Sequence, residues 1–85
     1  MTDQIRTQIR EVIAAQARLP VDVSTLADDS DLFQAGMTSH ASVNVMLALE
    51  DSFDIEFPDA MLKRSVFESV DAIAAAVTEI SGPAA

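Results

Sequence analysis

The reading of this chain turns on Gly36-Met37-Thr38-Ser39-His40-Ala41-Ser42-Val43-Asn44-Val45-Met46-Leu47-Ala48-Leu49-Glu50-Asp51-Ser52-Phe53. Gly36 frees the turn that precedes a helix, and the hydroxyl of either Thr38 or Ser39 can cap the helix's unpaired N–H groups. The helix then runs to about Phe53. At about 100° per residue, Ser42, Val45, Met46, Leu49 and Phe53 fall in one arc that faces a core. Val43 and Leu47 fall outside it, on the side of Ser39, His40, Asn44 and Asp51. That second apolar strip has two readings: a helix buried more broadly than one stripe, or a partner-docking strip leading up to Ser39.

Working outward, Ile5, Ile9, Val12 and Ile13 are spaced i, i+4, i+7, i+8, which predicts an amphipathic helix over about 3–17 with its arginines on the solvent side. Pro20 disfavours helical geometry at Leu19 and so stops this helix near Arg18. Residues 19–38 show no sustained period, and a stretch of that length without periodicity in so short a chain leans toward function. Leu26, Leu32 and Phe33 are its anchors to the core. Beyond the central helix, Phe57-Pro58-Asp59 opens a short helix over about 59–64, with proline in its first turn. Ser69 caps a last helix over about 70–80, buried along Ile73, Val77 and Ile80 and ended by Gly82-Pro83. No segment alternates long enough to be a strand. The expected fold is all-α: one domain spanning residues 1–85, a small four-helix bundle of three longer helices and one short one, with a long loop between the first and second.

The 85 residues are 49% hydrophobic and 22% charged, a globular balance with room for a modest core and none for a deep enclosed active site. There is no cysteine, which excludes disulfides, thiolate metal sites and a cysteine nucleophile. Met1-Thr2-Asp3-Gln4 is no signal peptide, and the apolar runs Val45–Leu49 and Ala72–Val77 are too short to span a bilayer, so the expected location is the cytoplasm and the expected state a monomer. The net charge is −9, and residues 19–58 hold eight acids and no lysine or arginine. Such a field repels nucleic acid and anionic membranes and favours basic protein partners.

Two chemical motifs fall short of their patterns. Ser39 and His40 are adjacent, but neighbours on a helix point about 100° apart, and a single histidine without an orienting partner makes a poor general base. Asp28-Asp29-Ser30-Asp31 suggests calcium, yet counting from Asp29 the fifth, sixth and twelfth positions are Phe33, Gln34 and His40, where an EF-hand needs an oxygen ligand, Gly and Glu. One histidine also leaves no zinc spacing.

The run Asp31-Leu32-Phe33-Gln34-Ala35-Gly36-Met37-Thr38-Ser39 into its helix, followed by Ala48-Leu49-Glu50-Asp51-Ser52-Phe53-Asp54 and Phe57-Pro58, resembles the acyl and peptidyl carrier proteins. The similarity covers roughly Ile5 to Ile80 in order and spacing. It implies that Ser39 accepts 4′-phosphopantetheine from coenzyme A through a magnesium-dependent phosphopantetheinyl transferase. The cargo would ride as a thioester, and the chain would catalyse nothing. It also implies a docking surface, for which Met37, Thr38, His40, Val43, Leu47, Met61 and Arg64 are the candidates. The implied partners are that transferase, an acyl or aminoacyl ligase and a downstream acceptor enzyme.

The sequence departs from the family's usual pattern in ways that bear on the cargo. Thr38 stands where the family usually has Asp, and His40 where it has an apolar residue. Positions acidic in fatty-acid carriers read Ala41 and Asn44, and Lys63 adds positive charge near the short helix. These features tip the reading toward a free-standing aminoacyl carrier, resembling those loaded by ligases akin to truncated seryl-tRNA synthetases. A polyketide or specialised fatty-acyl carrier is the alternative within the family; the small alanines of Ala72–Ala76 leave room for an acyl chain. From another class, the chain could be an unmodified helical interaction module in which Ser39 is only a cap, or a small hydrolase using Ser39 and His40.

Overall fold

In a computed structural model the chain is described over residues 2–81. Four α-helices occur there: α1 (Thr2–Gln16), α2 (Ser39–Phe53), α3 (Arg64–Phe67) and α4 (Val70–Ser81), with single 3₁₀ turns at Val23–Thr25 and Asp59–Met61. α1 packs against both α2 and α4, and α3 against α4. The core is what the periodicities require: Ile9 and Ile13 from α1, Val45 and Leu49 from α2, Ile73 and Val77 from α4, all buried together with Leu32 of the long loop. Met46 and Phe53 of the predicted α2 arc are partly buried against the same core.

α1 closes where Ala17 N–H donates to the Ile13 carbonyl (2.8 Å) and Arg18 turns left-handed at φ 53°. Its arginines correct the expectation of a solvated face. Arg6 bonds Asp71 Oδ1 on α4 (2.7 Å), and Arg10 bonds Asp28 Oδ1 in the loop (2.6 Å) and the Val23 carbonyl (2.9 Å). Asp28 Oδ2 also lies 3.4 Å from Arg6 Nε. The two side chains are only 28% and 24% exposed, so they fasten loop and α4 onto α1, and only Arg18 stays in solvent.

The long loop is therefore fixed. Asp22 caps the 3₁₀ turn, its carboxylate accepting from the Ser24 N–H (3.0 Å) and hydroxyl (2.9 Å), which holds that carboxyl below its usual pKa. Asp31 Oδ1 accepts from the N–H groups of Phe33 (2.9 Å) and Gln34 (3.2 Å), and Leu32 N–H reaches the Glu68 carbonyl (2.7 Å). Asp71 N–H donates back to the Asp28 carbonyl (2.9 Å). Two of the acids that suggested calcium are thus spent, Asp28 on arginines and Asp31 on backbone amides.

The expected short helix over 59–64 is replaced by two single turns. Asp59–Met61 is a 3₁₀ turn; the chain then extends at Lys63 (φ −145°, ψ 159°) before α3 winds from Arg64 to Phe67. Glu50 sets this region up: its Oε2 accepts from Phe57 N–H (2.8 Å), which delivers the Phe57 ring to within 5.3 Å of the Phe67 ring. α4 begins as expected with Ser69 Oγ accepting from Ala72 N–H (3.0 Å). The Gly82-Pro83 stop lies outside the described residues.

Candidate functional site

The choice the sequence left open, Thr38 or Ser39 as cap, is resolved by geometry. Thr38 is extended (φ −84°, ψ 164°), and its Oγ1 accepts from Ala41 N–H at 3.0 Å. Ser39 is the first helical residue, exposed, and only its carbonyl is engaged, accepting from Ser42 Oγ (2.6 Å). Among the described residues its hydroxyl has no hydrogen-bond partner, and neither do the N–H groups of Ser39 and His40. A free hydroxyl thus sits at the positive end of a 15-residue helix, beside free donors. His40 is also exposed, with no side chain among the described residues hydrogen-bonded to it as an orienting partner. No acid–base pair is assembled there.

Ser39 borders a cleft of about 480 Å³ that opens between α2 and the segment 62–67. Phe33, Val43, Met46, Leu62 and Phe67 give it an apolar lining, with Ser42 beside Ser39. Lys63 and Arg64 supply its cations, and the Arg64 guanidinium carbon lies 4.2 Å from the centre of the Phe33 ring. A second hollow of about 550 Å³ lies between α4 and the 3₁₀ turn, bordered by Met61, Val66, Ala72, Ala75 and Ala76, with Lys63 shared between the two.

The structure sorts the proposed docking residues. Val43 (49% exposed) and Leu47 (53%) are free surface, as the second strip of the wheel suggested. Thr38 and His40 flank Ser39 in solvent, and Arg64 is exposed on the cleft. Met37 does not belong with them: it is 3% exposed and part of the core, its N–H bonded to the Leu32 carbonyl (3.0 Å), so it is unavailable to a partner. Met61 is half-buried and borders the second hollow rather than the cleft beside Ser39. Sequence reasoning reached Leu62, which is 46% exposed and lines the cleft, only as part of the segment Met61–Arg64, and it missed Phe33 as a platform for Arg64. Leu62 carries only the weak signal of an apolar residue between two turns.

Among the described residues, a small helical domain thus leaves a serine hydroxyl unbonded on the first turn of a long helix, beside an apolar cleft. The chain belongs to the family described as phosphopantetheine attachment site, whose model matches residues 7–77. The group this family bears is 4′-phosphopantetheine, and an exposed first-turn hydroxyl with free N–H groups around it suits a phosphodiester.

Among known proteins, an aminoacyl carrier protein of Agrobacterium fabrum is 52% identical over 65 residues, spanning 76% of this chain and 78% of that protein. The fold also matches, at a TM-score of 0.87 and 47% identity, a chain in the crystal structure of an engineered Bradyrhizobium japonicum glycine:[carrier protein] ligase complexed with carrier protein from Agrobacterium tumefaciens and ATP. The match covers 89% of this chain and 99% of that one, which identifies the matched chain as the carrier. A solution structure of an Agrobacterium tumefaciens protein matches at a TM-score of 0.69 and 49% identity, over 85% of this chain and 87% of that one. No helix among the described residues is long and apolar enough to cross a membrane.

Proposed function

We propose that Ser39 is the residue that bears 4′-phosphopantetheine and that the chain carries an activated amino acid from a ligase to an acceptor enzyme. The observation that carries this reading is the Ser39 hydroxyl itself: exposed, unbonded, and relieved of capping by Thr38. Its Oγ attacks the phosphorus of coenzyme A that adjoins pantetheine. The pyrophosphate P–O bond breaks, 3′,5′-ADP leaves, and the serine proton passes to the transferase. The bound group supplies a thiol, which this cysteine-free chain lacks, for a thioester with the cargo. The chain itself would catalyse no step. Its residues anchor that thioester to a compact body and present it at high effective concentration to whichever enzyme docks on α2.

The aminoacyl relative and the ligase-bound carrier support an amino acid as cargo and an amino acid:[carrier protein] ligase as loader. The loader is expected to resemble truncated seryl-tRNA synthetases, and the remaining partners are the transferase and an acceptor. One observation favours the specialised acyl-carrier reading: the hollow bordered by Ala72, Ala75 and Ala76 offers apolar space of about 550 Å³. The interaction-module reading cast Ser39 as only a cap, a role that Thr38 fills here.

The test is intact mass after incubation with coenzyme A, magnesium and a broad-specificity phosphopantetheinyl transferase, beside a Ser39→Ala control. A gain of one phosphopantetheine in the wild type alone is expected; a gain in Ser39→Ala, or none in the folded wild type with any transferase of its native host, refutes the assignment. The loaded chain is then offered amino acids or fatty acids with ATP and candidate ligases. Acceptance of fatty acids in preference to amino acids refutes the cargo.

A further inference from the structure

We propose that Lys63 is a modification site: its ε-amine takes the acyl or aminoacyl group from the thioester borne at Ser39 when no partner enzyme claims it, and holds it as an amide. This rests on Ser39 as the attachment residue and on a thioester-bound cargo.

Nucleophiles are scarce on this chain. It has no cysteine, and of its five basic residues only Lys63 is a lysine, so apart from the α-amino terminus Lys63 is the one amine that a tethered thioester can meet. Arginine, always protonated, is no acceptor. The fold puts that amine beside the attachment residue, because Lys63 and Ser39 border the same cleft. Arg6 and Arg10 are committed to Asp28 and Asp71, whereas Lys63 is exposed and enters no ion pair or hydrogen bond with its side chain among the described residues. The main chain that carries it is fixed. Its N–H donates to the Met61 carbonyl (3.0 Å) and its carbonyl accepts from Val66 N–H (3.1 Å), so the amine swings from an anchored stem.

The arm is long enough to reach it. From phosphorus to sulfur, 4′-phosphopantetheine matches about four to five residues of extended chain, roughly 15 Å, which carries the thioester across a cleft of about 480 Å³. The step is an aminolysis. The neutral amine attacks the thioester carbonyl carbon, the C–N bond forms as the C–S bond breaks, and sulfur leaves with the electron pair and takes up the proton that nitrogen sheds. An amide and a free thiol result. The amide does not return its cargo and the freed arm can be loaded again, so each chain is marked once. Acylation also removes the Lys63 charge and leaves Arg64, on its Phe33 ring, as the cation lining the cleft.

The experiment treats the chain with acetyl-coenzyme A and a broad-specificity phosphopantetheinyl transferase, which installs the acetylated arm on Ser39, and establishes loading by intact mass. After incubation at mildly alkaline pH, hydroxylamine strips acetyl held as thioester and spares acetyl held as amide. Tryptic cleavage after residue 63 then reports whether the amine is free. Resistant acetyl at Lys63 is expected, at a rate that does not change on dilution. A short flexible tether presents its end at about millimolar concentration, so the loaded chain should be acetylated at Lys63 about tenfold faster than Ser39→Ala beside free acetyl-coenzyme A at about 0.1 mM. Lys63→Arg, at an exposed position and with the charge kept, should load as fully as wild type and lose the resistant acetyl. A loaded chain whose acetyl stays wholly labile overturns the proposal and leaves Ser39 standing, as does equal acetylation of Lys63 in Ser39→Ala. A rate that falls on dilution, or an undiminished yield of resistant acetyl in Lys63→Arg, also overturns it. Failure of Ser39 to load in the folded chain removes the reading beneath it.

Discussion

Exchanging two adjacent hydroxyls separates structure from function more sharply than any other change in this chain. Thr38 Oγ1 accepts from Ala41 N–H at 3.0 Å, whereas the Ser39 hydroxyl is bonded to nothing among the described residues. Thr38→Ala removes a helix cap, a loss of about 1 kcal/mol within a range of roughly 0.5–2. In a domain of this size that lowers Tm by about 4–8 °C. Ser39→Ala breaks no bond and installs the better helix former on an exposed first turn, so stability is unchanged or rises by up to about 0.5 kcal/mol. Loading runs the other way: Thr38→Ala is still modified to completion by mass, and Ser39→Ala is not modified at all. Calorimetric melts of wild type, Thr38→Ala, Thr38→Ser and Ser39→Ala, each followed by transferase treatment, measure both axes. Thr38→Ser should melt close to wild type, because serine caps as well as threonine. If Ser39→Ala melts as low as Thr38→Ala, the hydroxyl at 39 is a structural cap and the reasoning that frees it for chemistry is wrong.

Three further outcomes are expected. Gly36 sits at φ +124°, and a Cβ there would lie 2.7 Å from Pro20 Cδ, so Gly36→Ala combines roughly 1–3 kcal/mol of backbone strain with a clash against a rigid ring; Tm should fall by about 10 °C or more, and an unchanged Tm would show that the turn relaxes without cost. Asp28→Ala removes partners from both Arg6 and Arg10, worth about 1 kcal/mol together at part-exposed sites, and the difference from wild type in urea denaturation should shrink as salt rises from 0.05 to about 0.5 M; a salt-independent difference contradicts the electrostatic account. The Asp22 carboxyl, held down by the Ser24 N–H and then by its hydroxyl, favours the folded turn above the ordinary value of 3.8 and loses that contribution as pH falls through its lowered pKa, so the Ser24 amide resonance should titrate with a midpoint below 3.8. A midpoint at or above that value removes the capping bond from the account.

What could be read from the sequence, and what could not, follows the range of the interactions. α1, α2 and α4 were legible because each buries one stripe whose spacing is local: Ile9 and Ile13, Val45 and Leu49, Ile73 and Val77. The start of α2 was legible because a glycine turn and two hydroxyls lie within four residues, but which hydroxyl caps was not, since both suit the position. The segment 59–64 was misread because six residues cannot display a period, and Pro58 suits a 3₁₀ turn as well as an α-helix. Met37 was misread by adjacency. Thr38 is extended, so neighbouring side chains alternate, and the step that exposes Thr38 turns Met37 into the core. The Arg6 and Arg10 pairs join residues 18 and 65 positions apart, and no window of sequence contains such contacts. The cleft has the same origin, since Phe33, Met46 and Arg64 come from three separate segments and meet only once the core has fixed all three. The exposed Ser39 hydroxyl is therefore set by local sequence, while the cleft beside it is a tertiary feature. Substitutions at 63 and 64 can then alter the cleft without touching the Ser39 hydroxyl beside it.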